Sequence, residues 1–541
     1  MKFCGYLASG VSALALAAMT SFSTGAAARQ IHYPFKMGVH FKVARQKGPL
    51  EAPYVAPSAA KSGTWTDVGN LPFADGPWDP LLLTDGTVII EDFCTSPTQW
   101  YRLTPDKKGK YESGKWSKIA TMPSGYAPLF FASQTLTDGR LIVNGGEYNA
   151  TANGNCGSGA WTTKGALYDP VKDKWASVSP PTGWGNIGDA QSVILPDGSY
   201  MLADCCDEAQ AIATISGTTV TWNTTGSGKA DENDEEGWTL LPSGNVLVVD
   251  AWLGVAHTQS NSEIYDTSKG TWSAGPLTAS QLVDPGSHEL GPAVLRPDGN
   301  IVYFGGNQAG PINVFNEAAN TWVAAPSFPV INGAQYDVAD GPAALLPDGN
   351  VIVDASPGVF NAPSHFFEFS INAKGVMKLT QVNDPKQAPG TSSFEGSFLD
   401  LPTGQVVWTD SQTTPNEVAT YTPRGSPKAA WLPKISSVSA TLSVGRKKNA
   451  ISGKNFNGFS LGASYGDDAQ EATNFPIVRI TNTGTGDVCY GRSYNFSTMG
   501  VFNTGKMHAD FDVPASCETG DSTLQVIVNG LASAGVAVTL S

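Results

Sequence analysis

Acidic residues recur at one fixed distance from a repeated turn. Asp189, Glu235, Asp340 and Glu395 each stand eight residues before the residue that precedes a turn glycine. Glu289 stands nine before its own, next to His288. Five carboxylates supplied by equivalent positions converge if the repeat closes on itself. Like charges at close range repel and raise one another's pKa. Such a set calls for a cation, a network of donors or abundant water. A hard cation such as Ca²⁺ takes several carboxylate and carbonyl oxygens. A pair such as Asp340 and Glu395 can instead serve as acid and base in hydrolysis or lysis of a glycan. The ordinary alternative is a wet acidic channel whose carboxylates bind backbone amides.

His257, His288 and His365 are the other candidates on the same face, since three imidazoles brought together hold zinc or copper. Their spacing forms no tight motif, and isolated loop histidines make ordinary hydrogen bonds. Six cysteines follow the first 28 residues: Cys94, Cys156, Cys205, Cys206, Cys489 and Cys517. An even count in an exported chain reads as disulfides, and six cysteines allow 15 pairings. Cys94 and Cys156 occupy equivalent loops and can bridge. That leaves the neighbours Cys205 and Cys206 to form a small, stiff, apolar ring at the pocket rim. Cys489 and Cys517 share the last domain and are expected to pair.

The elements that must position these groups are strands. Seven hairpins read LLLTDGTVII, QTLTDGRLIV, VILPDGSYML, TLLPSGNVLV, VLRPDGNIVY, ALLPDGNVIV and DLPTGQVVWT. Their turn glycines, Gly86, Gly139, Gly198, Gly244, Gly299, Gly349 and Gly404, lie 46 to 59 residues apart. Apolar runs joined by such a turn signal a hairpin, and a period near 50 is that of a four-stranded kelch blade. An aromatic on the third strand and a tryptophan on the fourth recur as Tyr101 with Trp116, Tyr168 with Trp175, Tyr265 with Trp272 and Phe315 with Trp322. GTWTDVGNLP, around Trp65, has no blade before it and is expected to complete blade seven and close the ring. Strand direction alternates within a blade. The segment entering the inner strand and the loop after the second strand therefore share one face, and the Asp-Gly turns take the other.

The expected fold class is all-β: a seven-bladed propeller over residues 61–431, followed by an immunoglobulin-like sandwich over 432–541. Residues 1–28 have the basic start, apolar run and small-residue end of a signal peptide, and 29–60 read as a leader. The apolar run is too short to span a bilayer. With a net charge of −15, nucleic acid is excluded as a partner, because phosphates need basic patches.

The repeats resemble the kelch propeller family, and the order of propeller then sandwich resembles galactose oxidase and its secreted relatives. PIVRITNTGTGDVCYGRSYNFSTMG is similar to the last domain of that group. The resemblance implies a copper ion and a tyrosyl radical held by tyrosines, histidines and a cross-linked cysteine. Counting from the turns, this chain has Pro77 at the cysteine position and Phe130 at the radical tyrosine. Phe394-Glu395 stands for an adjacent Tyr-His pair, and Ser493-Tyr494 for a Thr-His pair. Phenylalanine neither ligates copper nor holds a phenoxyl radical.

The sequence therefore leads to a secreted or periplasmic monomer that binds extracellular carbohydrate or surface material on an acidic propeller face. It is expected to lack the copper-radical site and to have no membrane span, with Ca²⁺ as its candidate cofactor. The alternative is an enzyme. One form is a diverged copper oxidase rebuilt from His257, His288, His365 and Tyr336. The other is a carboxylate-dependent hydrolase or lyase.

Overall fold

The computed structural model describes residues 63–93, 98–149, 161–257, 261–467 and 469–541. The expected signal peptide and most of the leader lie outside them, as do Cys94 and Cys156. Among the described residues, no helix is long and apolar enough to cross a membrane.

Seven antiparallel sheets follow one another as blades, six of four strands and the sixth blade's of five. Blade one runs through Pro77–Leu82, Val88–Asp92, Trp100–Thr104 and Lys115–Lys118. Blade seven has Gly396–Asp400, Val406–Asp410 and Glu417–Thr422, and takes its outer strand, Thr64–Asp67, from the other end of the chain. Thr64 pairs with Thr422 and Asp67 with Ala419. Trp65 locks this closure by packing on Phe366, Trp408 and Tyr421. Joining the ends of the ring in one sheet removes the free edges an open propeller would expose.

All seven turn glycines have positive φ, between 74° and 90°. A Cβ is disfavoured there, which is why glycine marks every hairpin. Of the aromatic pairs, Tyr168 faces Trp175, Tyr265 faces Trp272 and Phe315 faces Trp322 across adjacent strands. Blade one departs from the pattern. Trp116 lies opposite Leu103 rather than Tyr101, and the ring of Phe73 packs edge-on against both aromatics.

The last domain is a separate β-structure. Its main strands are hydrogen-bonded in the order Lys434–Val438, Asn449–Lys454, Met507–Asp512, Val488–Tyr494, Ile477–Asn482, Gly520–Val528, Val536–Leu540 and Thr441–Leu442. Cys489 and Cys517 bridge within it. It docks on the face formed by the Asp-Gly turns. The Ser493 amide donates to the Thr84 carbonyl at 3.2 Å and the Met499 amide to that of Pro196 at 3.0 Å. Ser493 and Tyr494 therefore lie on the turn side, so the correspondence with a Thr-His pair at the working face does not hold in space.

A second segment of this domain, around residues 460–475, reaches the propeller axis. Ala463–Ser464 adds a fifth strand to blade six, inside its inner strand Ala343–Leu345. The Gly341 amide donates to the Tyr465 carbonyl, and the Leu345 amide to that of Gly462. Tyr465 packs edge-on against Trp78 and donates its hydroxyl to the Phe394 carbonyl. This plug lies beside the inner strands of blades five, six and seven and brings Asp467 to Asp189 and Glu235.

Candidate functional site

The positions that enter the inner strands share an uncommon backbone. Asp79, Phe130, Gly188, Glu235, His288 and Asp340 all have φ between 44° and 68°. Five are not glycine. Left-handed conformations of such residues are uncommon and cluster where a side chain must be aimed.

Four of the five predicted carboxylates meet. Oxygens of Glu235, Glu289 and Asp340 lie within 4.8 Å of one another, and so do oxygens of Asp189, Glu235 and Asp467. Glu235 belongs to both groups. Asp189, Glu235, Glu289 and Asp467 are buried, whereas Asp340 is half-buried and marks the rim. Glu289 is hydrogen-bonded to both Glu235 and Asp340. Burial holds Glu235 well above the carboxylate range, and Glu289, Asp467, Asp234 and Asp340 push it further. Burial does the same to Glu289 and Asp340, with Asp340 and Asp467 as the leading like charges on each. Among the described residues, no ion pair reaches Glu235, Glu289 or Asp340.

Glu395 does not join them. It closes a capping box on the short helix Ser393–Glu395, where its carboxylate accepts from the Ser392 amide at 2.7 Å. Burial, opposed by that amide and helped by Asp410, pushes it up to about 7. The spacing from the turn is the same, but a helical turn at Ser393–Glu395 replaces the left-handed residue and re-aims the side chain. Glu395 thus lies outside both axial triads.

The histidines are likewise dispersed. His257 Nε2 lies 3.0 Å from the Thr278 carbonyl, the His288 ring packs on Trp252 at a tilt of 56° with ring centres 3.6 Å apart, and His365 Nδ1 is 2.7 Å from Asp384. None joins a group of three potential ligands among the described residues. Tyr336 does stack on His365, but its hydroxyl points to the Pro363 carbonyl.

Cys205 and Cys206 bridge each other, as expected. Both sulfurs lie by Asp234 Oδ1, at 3.1 and 3.5 Å, and Trp252 Nε1 donates to Asp234 Oδ2 at 3.1 Å. The half-buried Cys206, Trp252 and His288 thus stand as an apolar and aromatic rim, joined through Asp234 to the acidic floor at Glu235.

Two contributors were not foreseen. Asp467 comes from the plug, in the stretch GASYGDD, which has no hairpin signature. Its neighbour Gly466 carries no side chain beside Asp340, where a Cβ would stand 3.6 Å from Oδ1. Glu147, in the loop after the second strand of blade two, is pushed up to about 8 by burial, and Asp467 adds to that rise. The face rule predicts that loop's position, but the fixed distance from the turn does not select it.

No protein family matches the chain, and no curated protein does. Among solved structures it is similar to a fungal alcohol oxidase of the AA5 family in complex with copper, at 13% identity and a TM-score of 0.48 over 90% of this chain and 100% of that one. Streptogramin B lyase matches at 10% identity and 0.46, over 68% of this chain and 100% of its own. YCF48 bound to a D1 peptide matches at 11% and 0.45, over 68% and 97%. Likenesses at this level carry no functional weight.

Proposed function

We propose that this is a secreted, monomeric, kelch-type propeller protein that binds extracellular carbohydrate or cell-surface material at the rim of its acidic axial site. The immunoglobulin-like last domain supports the ring from the turn face. The reading rests on the rim formed by Trp252, His288 and the Cys205–Cys206 ring beside the carboxylates. Pyranoses present apolar faces and hydroxyl edges, and an aromatic plate next to acceptors suits both.

Copper-radical chemistry does not fit these residues. The groups gathered at the axis are carboxylates, which suit a hard cation rather than copper. Phe130 packs against Trp78 at the position where the resemblance implies a radical tyrosine.

The test is calorimetric titration and pull-down of the mature chain against a panel of soluble and insoluble polysaccharides. At least one is expected to bind, and Trp252→Ala to weaken it about tenfold, the loss of one good stacking contact, in a variant that still unfolds cooperatively. Failure of every glycan to bind, or binding indifferent to Trp252→Ala, would overturn the reading.

A further inference from the structure

Two buried acidic clusters lie close together in blades three to six, and they differ in their source of positive charge. Around Lys229 stand Asp231, Glu236, Asp250 and Glu263, and its ammonium is 3.0 Å from both Glu236 and Glu263. That cluster carries its own cation. At the axis, Glu235, Glu289 and Asp340 receive no ion pair from the described residues, and the leading charges acting on them are other carboxylates. Glu289 is only 3% exposed, yet its Oε2 has no hydrogen-bond partner among the described residues. Asp340 Oδ1 has none either. Leaving a buried oxygen bare costs about 1–3 kcal/mol and more for a charge, and at the axis such oxygens stand within the carboxylate triads themselves.

The spacing also suits an ion. Oxygens that share one calcium at 2.3–2.6 Å lie at most about 5 Å apart, and each axial triad falls within 4.8 Å. The triads share Glu235 and draw on blades three to six and on the plug.

We propose that Glu235, Glu289 and Asp340, with Asp189 and the last domain's Asp467, form a site for a hard divalent cation of the calcium class, shared between the two domains. The cation takes the role at the axis that Lys229 takes in its own network. Because Asp467 arrives on the plug, the ion also ties the last domain to the propeller. This deepens the reading of the acidic face but does not depend on carbohydrate: calcium binding without glycan binding would leave it standing.

The test uses the full mature chain, stripped with chelator and titrated with CaCl₂ while heat release and melting temperature are followed. Saturation is expected below about 1 mM, with a rise in melting temperature and weaker binding of Mg²⁺, which demands a smaller octahedral shell. Glu235→Gln and Asp467→Asn should each weaken calcium at least about tenfold, whereas Glu395→Gln should leave it unchanged. Hydrogen exchange of residues 462–467 should slow on adding calcium in the wild-type chain, and this does not depend on any variant folding. Absence of a calcium-dependent shift in the stripped protein, or equal affinity in Glu235→Gln, would overturn the proposal. An effect of Glu235→Gln without one of Asp467→Asn would overturn the shared-domain part.

Discussion

The Lys229 network and the axial cluster are built from the same acid types, and what separates them is the source of positive charge. Burial works against the charge on Lys229, but Glu236, Glu263, Asp250 and Asp231 outweigh it and hold the ammonium protonated. Backbone donors add to the lysine: Glu263 accepts from the Ala230 amide and Asp231 from the amides of Trp252 and Leu253, while Asp250 Oδ1 has no partner among the described residues. Burial pushes Asp250 up to about 8, which keeps a proton within the group. At the axis no lysine or arginine of the described residues forms an ion pair with Glu235, Glu289 or Asp340, and Glu289 Oε2 and Asp340 Oδ1 have no partner among those residues. A cluster closed by the chain's own lysine is architecture, whereas one left open at a half-buried rim is poised for something from outside.

The sharpest way to break this comparison is to remove one charge from each side. Lys229→Met strands four buried acids and is expected to cost about 3–5 kcal/mol. Glu289→Gln in metal-free protein removes a like charge and should leave stability unchanged or raised. Denaturant melts in chelator measure both, and a mild Lys229→Met beside a damaging Glu289→Gln would reverse the assignment.

The two bridges make the next contrast. Cys489 and Cys517 are 28 residues apart, so cutting that bridge releases a loop worth about 3–4 kcal/mol in the chain-entropy view. Cys205 and Cys206 are adjacent, and Cys205→Ser with Cys206→Ser should cost far less stability while weakening ligand binding at the rim. Thermal melts and glycan titrations of the two double variants separate those effects.

A smaller loss is expected from Gly237→Ala. Its Cβ would run into the Gly466 carbonyl, and overpacking of this kind costs about 1–3 kcal/mol. Because Gly466 is on the plug, calcium affinity should fall with stability; a fall in stability alone would separate the plug from the cation site.

The smallest effect concerns Glu395, which shares the sequence position of the axial acids but not their place. Its folded pKa, about 7, lies above its ordinary 4.5. A raised acid contributes stability below its unfolded value, and that contribution is lost as pH rises through the folded one. Glu395→Gln keeps an acceptor for the Ser392 amide, so it should raise the melting temperature at pH 8 and leave a flatter profile between pH 5 and 8. An unchanged profile would mean the side chain is solvated.

The sequence by itself determined the ring. Glycine at seven turns, apolar runs on either side and an unpaired strand around Trp65 are local signals, and each has one backbone solution. The same local logic put Asp189, Glu235, Glu289 and Asp340 on one face, because each is tied by a few residues to its own turn. It misplaced Glu395, since the helical turn at Ser393–Glu395 changes a side chain's direction without changing its distance from the turn. It had no means of finding Asp467, which lies more than 100 residues beyond Asp340 and reaches the axis only because a two-residue strand pairs with blade six. The tertiary structure also decided which acid cluster has its own cation. In the sequence Glu235 and Glu236 are neighbours, equally near Lys229, and only the packing shows that the ammonium reaches Glu236 and Glu263 while Glu235 joins the axial acids.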